Sequence, residues 1–357
     1  MFESFGFEET TAKEISVLLG LALGLLFGLL AEATRFCLRR ALIGTDRVQA
    51  RGVWLAALAT AVLGTQAAVS AGLISFDEHR YLAADLPILA IIVGGALFGI
   101  GMVLTRGCVS RLTVLGGSGN LRALLVLVVF AIVAHATLKG VLAPVRTTLG
   151  ATTVNLGDYA ALGALPGGSW LCAGALGVVA LLVALRSGNS VVALIGGVAI
   201  GLLVPLAWVG TGYVLFDEFD PIAMESLSFT SPAADSLFYT IASTSISAGF
   251  GIGLLGGVAG GALIGSLIGG RFQWQSFETP RQTGRYMSGA VLMGIGGVLA
   301  GGCSVGAGLS GVATLGVSAV LALVSIALGA LAAHAVLSRA TFESAGSPTT
   351  PAPQPAE

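Results

Sequence analysis

Charge is what this sequence has least of. Only 10% of its 357 residues are Asp, Glu, Lys or Arg, against about 25% in a soluble domain. So few charges cannot coat a water-facing surface of this size, which excludes an ordinary soluble enzyme. Disorder is excluded as well, because disordered chains are polar and charge-rich. The net charge is −1, from 17 basic and 18 acidic side chains. No global basic field exists to attract nucleic acid, so none is expected as a partner. Four scattered cysteines without a CxxC pair exclude a disulfide framework and a knuckle-type metal site. No cofactor motif occurs, and no cofactor is expected.

Apolar residues fill the space. They make up 55% of the chain, and mean hydropathy is +0.94. Glycine contributes 53 residues, about twice its usual ~7% share, but with no Gly-x-y period, which excludes collagen. A bilayer core about 30 Å thick needs roughly 20 apolar residues per helix. Runs of that kind lie at about 14–35, 52–75, 86–104, 121–143, 167–185, 190–215, 246–270, 286–300 and 312–338. The alternation of a membrane barrel is absent. The expected fold is therefore an all-α polytopic membrane protein with about nine transmembrane helices, the eighth short.

Orientation follows Lys and Arg in short loops. Arg35, Arg39, Arg40, Arg47 and Arg51 put the first loop in the cytoplasm. Alternation then places 77–85 outside, 106–122 inside and the acidic stretch 217–235 outside. The N-terminus is expected outside and the C-terminus inside. Residues 1–344 read as one membrane domain. Residues 345–357, rich in Pro, Ser and Thr, read as a disordered cytoplasmic tail.

The sequence repeats itself. Placing Cys37 over Cys108 aligns Gly24-Leu-Leu-Phe-Gly28 with Gly95-Ala-Leu-Phe-Gly99, and Thr34-Arg35-Phe36-Cys37 with Thr105-Arg106-Gly107-Cys108. Placing Cys108 over Cys303 aligns Gly107-Cys108 with Gly302-Cys303. Gly261-Ala-Leu-Ile-Gly265, followed by Arg271-Phe272, reads as a decayed copy of the first unit. Two pseudo-symmetric halves are expected, about 14–143 and 167–338, arranged as an inverted repeat with short re-entrant helices.

Glycine falls into two populations. Gly20, Gly24 and Gly28, and Gly249 through Gly269 at every fourth position, make smooth stripes for close helix packing. The second population surrounds Arg106-Gly107-Cys108-Val-Ser-Arg111 with Gly116-Gly-Ser-Gly-Asn120, and Gly302-Cys303-Ser304-Val-Gly306-Ala-Gly308. There, small polar residues interrupt apolar runs at matching positions. Membranes tolerate such interruptions only beside protein or a water-filled cavity. Half-helix N-termini at these places would present N–H groups to an anion.

Other groups carry plainer readings. Cys172 reads as filler. Glu32 and Arg35, three apart, are placed to pair or to sit at a helix end. Arg106 and Arg111 either draw an anion to a mouth or obey the positive-inside rule. His135 and His334 read as helix-interface residues before proton relays. Asn120 reads as a helix cap, and 228–232 as loop.

Taken together, Arg35-Phe-Cys37, Gly107-Cys108-Val-Ser-Arg111 with Gly117-Ser-Gly-Asn120, and Gly302-Cys303-Ser-Val-Gly306-Ala-Gly308 resemble the three cysteine motifs of the YeeE/YedE sulphur-transport family. The resemblance runs from about residue 14 to 338. It implies uptake of thiosulfate, or a related sulfur compound, across the inner (plasma) membrane. It implies two pseudo-symmetric halves whose short helices meet at a constriction lined by Cys37, Cys108 and Cys303. It also implies, as a partner, a separate cytoplasmic sulfur-carrier protein of the TusA type.

The chemistry suits the residues. Thiosulfate is a soft dianion, and a thiol is a weak donor. Successive thiols would pass the ion along without a deep well. Gly107, Gly302, Ser304, Arg35, Arg106, Arg111 and Asn120 complete the candidate permeation set. Two alternatives remain open at this level: a membrane sulfurtransferase or persulfide carrier, and a channel for another small anion.

Overall fold

The computed structural model describes residues 11–165, 168–218 and 220–346. Of the expected tail, 345–357, residues 345 and 346 end the last helix instead, and 347–357 lie outside the described residues. The chain folds almost wholly into helices: α1 (Ala12–Thr34), α2 (Leu38–Ile43), α3 (Arg47–Ser70), α4 (Ile88–Leu104), α5 (Val109–Gly117), α6 (Leu121–Lys139), α7 (Ala143–Gly150), α8 (Gly168–Leu185), α9 (Val191–Val209), α10 (Thr230–Ala242), α11 (Phe250–Ile268), α12 (Pro280–Leu299) and α13 (Val317–Gly346). Two two-residue strands, β1 (Asp85–Leu86) and β2 (Val154–Asn155), pair antiparallel on the surface, Asp85 opposite Asn155.

Among the described residues, eight helical segments are long and apolar enough to cross a membrane. The remaining expected span, the eighth at 286–300, corresponds to α12. It is a full 20-residue helix, but its opening Pro280-Arg-Gln-Thr-Gly-Arg285 is polar, so its apolar portion is short. The protein is a polytopic all-α membrane protein.

Local chemistry sets the helix ends. At the start of α1, the Glu14 amide donates to Thr11 Oγ1 at 3.2 Å and the Thr11 amide to Glu14 Oε2 at 3.1 Å, a reciprocal capping box. Asn120 caps α6 by accepting from the Ala123 amide at 3.1 Å.

Glycine stripes decide the packing. A Cβ at Gly20, Gly24 or Gly28 would land on the carbonyl oxygens of Phe250, Leu254 or Val258, and a Cβ at Gly253, Gly257 or Gly261 on those of Val17, Leu21 or Leu25. Both series rise together, so α1 and α11 run parallel, backbone against backbone. By the same reasoning α4 runs parallel to α13 (Gly95 on Ser325, Gly99 on Ile326) and α3 parallel to α9 (Gly197 on Val53, Gly201 on Ala57). In contrast, α4 and α12 are antiparallel, since Gly94 meets Ala300 while Gly101 meets Gly289. So are α1 and α9, where Thr34 meets Gly196 and Leu19 meets Gly210.

These directions sort the charges into two ends. One end gathers Arg47, Arg106, Arg122, Arg186, Arg271 and Arg281. The other carries Asp77, Glu78, Asp85 and Glu225, with Arg80, Lys139 and Arg146 among them. Between the ends lies a core of fully buried large side chains that includes Phe27, Phe98, Met102, Phe130, Phe229 and Met293.

The segment expected to copy the first cysteine unit does not do so. After α11 the chain turns at Gly270 (φ +61°) and runs extended, with Gln275 bridged to Asn120, instead of starting a short helix. Its glycines serve the α1 seam.

Candidate functional site

Each of Cys37, Cys108 and Cys303 follows the same backbone turn. Two residues earlier the chain adopts a left-handed conformation: Arg35 at φ 54°, Arg106 at φ 60° and Gly301 at φ 73°. For the two arginines this costs about 1–2 kcal/mol, a strain held only where the surroundings enforce it. The turn stops α1, α4 and α12 and sends the chain back into the protein. Cys37 and Cys108 are then the N-caps of α2 and α5. Cys303 opens a π-helical turn over Gly306–Gly311: its carbonyl accepts from the Ala307 amide at 2.9 Å and its Sγ from the Gly306 amide at 3.3 Å.

The three turns bring their thiols to one place. Cys37 and Cys108 are thiol-to-thiol neighbours, and Cys303 lies within electrostatic reach of Cys108. All three are buried and unoxidised, at 6%, 1% and 0% exposure. The Ser110 hydroxyl is 3.2 Å from Cys108 Sγ. Ser304 Oγ, buried and without a hydrogen-bond partner, lies beside the same thiol. Thr105 fastens the Cys108 turn: its hydroxyl lies 2.9 Å from both the Gly101 and Gly107 carbonyls and shares its one proton between them.

The remaining expected residues divide. Gly302 is required, since a Cβ would sit 2.8 Å from the Ala307 nitrogen, whereas one at Gly107 would meet nothing nearer than 3.6 Å. Arg111 reaches back to the Ala31 carbonyl at 3.3 Å. Arg35 and Arg106 are exposed at the basic end. Asn120 stands off the centre: besides capping α6 it donates to Gln275 Oε1 at 2.8 Å. Glu32 takes Arg271 as its ion-pair partner rather than Arg35, because Arg35 turns away in its left-handed conformation. His135 stacks on Phe238 with ring centres 4.6 Å apart, and His334 is exposed on α13. Cys172 donates to the Leu162 carbonyl at 3.3 Å, away from the other thiols. Among the described residues no group of three metal-ligating side chains forms.

Above Cys303, at the acidic end, opens a cavity of about 520 Å³. His79, Arg80, Tyr81, Trp208, Glu225 and Ser228 line it, and its floor is Gly306 and Ser310. The Arg80 guanidinium lies 4.9 Å from the Tyr81 ring and donates to its hydroxyl at 3.3 Å. That hydroxyl donates to the Gly306 carbonyl at 3.0 Å. A string of contacts therefore leads from the cavity's arginine to the loop holding Cys303. Burial pushes the His79 imidazole down to about 4, with Arg80 adding to the effect. Burial, with Asp235 nearby, raises the Glu225 carboxyl. Beneath the floor, the rings of Phe229 and Phe27 meet 5.5 Å apart. The sequence reading passed over Arg80, Tyr81 and Glu225 as loop residues. The dense run Glu78-His79-Arg80-Tyr81 was the available signal.

Three buried thiols, two of them helix N-caps, thus lie below an outer cavity. Residues 33–332 match the family described as Sulphur transport. The chain belongs to this sulphur-transport family. Among curated proteins it is similar to the thiosulfate transporter TsuA of Escherichia coli (strain K12), with 27% identity over 340 residues, covering 88% of this chain and 92% of that one. The sulphur-transport match begins before Cys37 and ends beyond Cys303, so the whole cysteine centre lies within it.

Proposed function

We propose that this protein takes up thiosulfate, or a closely related inorganic sulfur anion, across the inner membrane through its cysteine centre. The observation that carries the reading is the convergence of three buried free thiols, two at the N-caps of short helices and the third leading into a π-helical turn. Arg80 offers the entering dianion a cation in the outer cavity. Cys303, Cys108 and Cys37 then meet it in turn, with the Ser304 and Ser110 hydroxyls alongside. Neutral thiols donate weak hydrogen bonds and do not repel an anion. N-terminal amides of the short helices add positive potential without a mobile charge. Weak successive contacts suit passage, which needs entry and release alike.

The basic end faces the cytoplasm in this reading, with the C-terminus inside and the N-terminus outside, in line with the positive-inside rule. The halves form an inverted repeat, and the opposed directions of α1 and α9, and of α4 and α12, support it. The fourth short helix, α10, then stands where α2 stands, with Phe229 at its N-cap in place of Cys37. A TusA-type carrier is a partner of the cytoplasmic face in this scheme.

Uptake of labelled thiosulfate into proteoliposomes tests the proposal. Wild-type protein takes up the label, and Cys37→Ala, Cys108→Ala and Cys303→Ala each reduce it. Undiminished uptake by all three variants rules out the thiol relay. The adjacency of Cys37 and Cys108 favours one rival, a persulfide carrier. An added sulfur atom in the intact mass after exposure to thiosulfate would establish that rival instead.

A further inference from the structure

The basic end holds guanidiniums that the structure leaves without anions. Arg39, on α2, has Arg106, Arg285, Tyr286 and Cys37 as its strongest electrostatic neighbours, and no carboxylate is among them. Arg39 Nε and Arg285 Nε are both buried without a hydrogen-bond acceptor. Two acids at this end are engaged elsewhere, Asp46 with Arg40 and Glu32 with Arg271. Like charges held together raise each other's energy, and a buried donor without an acceptor is costly. Three elements nevertheless converge to make this cluster: α2, the turn after α4, and the first turns of α12. The cluster adjoins Cys37, the last thiol on the proposed path.

We infer that Arg39, Arg106 and Arg285 form an anion subsite at the basic mouth, which takes a tetrahedral sulfur oxyanion as it leaves the thiols. The identity of the anion rests on the proposed function; the subsite itself rests on the cluster. A planar guanidinium fork matches two oxygens of such an ion. The thiols suit the sulfane end of thiosulfate, and the arginines suit its three oxygens. Arg111 lies beside Cys37 and Cys108 and donates to the Ala31 carbonyl. An anionic lipid headgroup offers similar oxygens, so the test separates the two sources.

The full chain, in phosphatidylcholine nanodiscs, is treated with phenylglyoxal, and arginine modification is followed by mass spectrometry. Millimolar thiosulfate or sulfate, against chloride at equal ionic strength, slows modification of Arg39 and Arg285 about threefold, as bound ligand reduces the free fraction. Exposed Arg281, one turn from Arg285, is unaffected. In Arg39→Gln the protection at Arg285 falls. Equal modification rates with and without oxyanion overturn the proposal. So does protection that requires phosphatidylglycerol and ignores added thiosulfate, or equal slowing at Arg281. Labelled uptake is measured on the same purified protein reconstituted into proteoliposomes. Uptake without protection removes the subsite and spares the proposed function; protection by thiosulfate without uptake does the reverse.

Discussion

The α1–α11 seam and the cysteine centre are both built with glycine, and they use it for opposite purposes. In the seam, six glycines let two straight helices touch backbone to backbone, and every missing Cβ is missing because a carbonyl oxygen occupies its place. In the centre, helices stop. Left-handed turns end α1, α4 and α12 two residues before each cysteine, and two of the three turns use arginine where glycine would be strain-free. Glycine in the seam is thus a matter of contact. Around the thiols it is a matter of chain direction, and there only some positions demand it. Stability and transport therefore separate onto different residues.

Gly24→Val tests that separation most severely. Its branched side chain would collide with the Leu254 carbonyl and force the helices apart, a cost at or above the ~3 kcal/mol upper range usual for overpacking. The expected result is little monodisperse protein on size-exclusion chromatography. A normally folded variant breaks the comparison.

Cys108→Ala is the reverse case. Thiosulfate uptake falls by about tenfold or more, the loss expected when roughly 1.4 kcal/mol of stabilisation along the path disappears. The melting temperature stays close to wild type, because removing a single sulfur atom leaves only a small void. Loss of folding together with uptake would place Cys108 on the structural side.

Within the centre, two glycines give a finer contrast. Gly302→Ala brings a methyl to 2.8 Å from the Ala307 nitrogen and disturbs the Cys303 turn, while Gly107→Ala meets only ordinary contacts. We expect Gly302→Ala to lose uptake and some stability, and Gly107→Ala to stay within about 0.5 kcal/mol of wild type. Denaturation midpoints and uptake rates measured side by side check this.

The smallest effect belongs to the outer cavity. The His79 pKa is depressed from its ordinary 6.5 to about 4, so the unfolded chain binds a proton more readily than the folded one. Stability is then complete above pH ~6.5 and declines as pH falls toward 4. His79→Gln should flatten that part of a melting-temperature profile. An unchanged slope would mean that another group carries the acid sensitivity.

Much of this was legible in the sequence, and the reasons are local. Apolar runs of bilayer length locate the spans because lipid leaves the backbone no other partner. Stripes at four-residue spacing reveal packing faces because the helix repeats at nearly that interval. Cys37, Cys108 and Cys303 stand out because their neighbours repeat with them. What failed was the fourth unit. Gly261 to Phe272 looks like Gly24 to Phe36, but the resemblance comes from the demand that both helices place on the same seam. The three-residue spacing allows Glu32 to pair with Arg35 only along a continuous helix, which the left-handed turn at Arg35 interrupts. Arg80 and Tyr81 were overlooked because only folding brings their loop onto Gly306.

The parallel seam also bears on how the protein is made. Helix α1 leaves the ribosome long before α11, and its glycine face packs on the face of α11. Until Phe250–Ile268 has been synthesised, that face has no partner within the chain. Insertion must therefore keep α1 loosely placed at the edge of the growing bundle while everything between the two helices arrives. The last stage of assembly resembles the closing of a clasp, and it fixes Cys37, three residues beyond the end of α1, against thiols delivered by later parts of the chain.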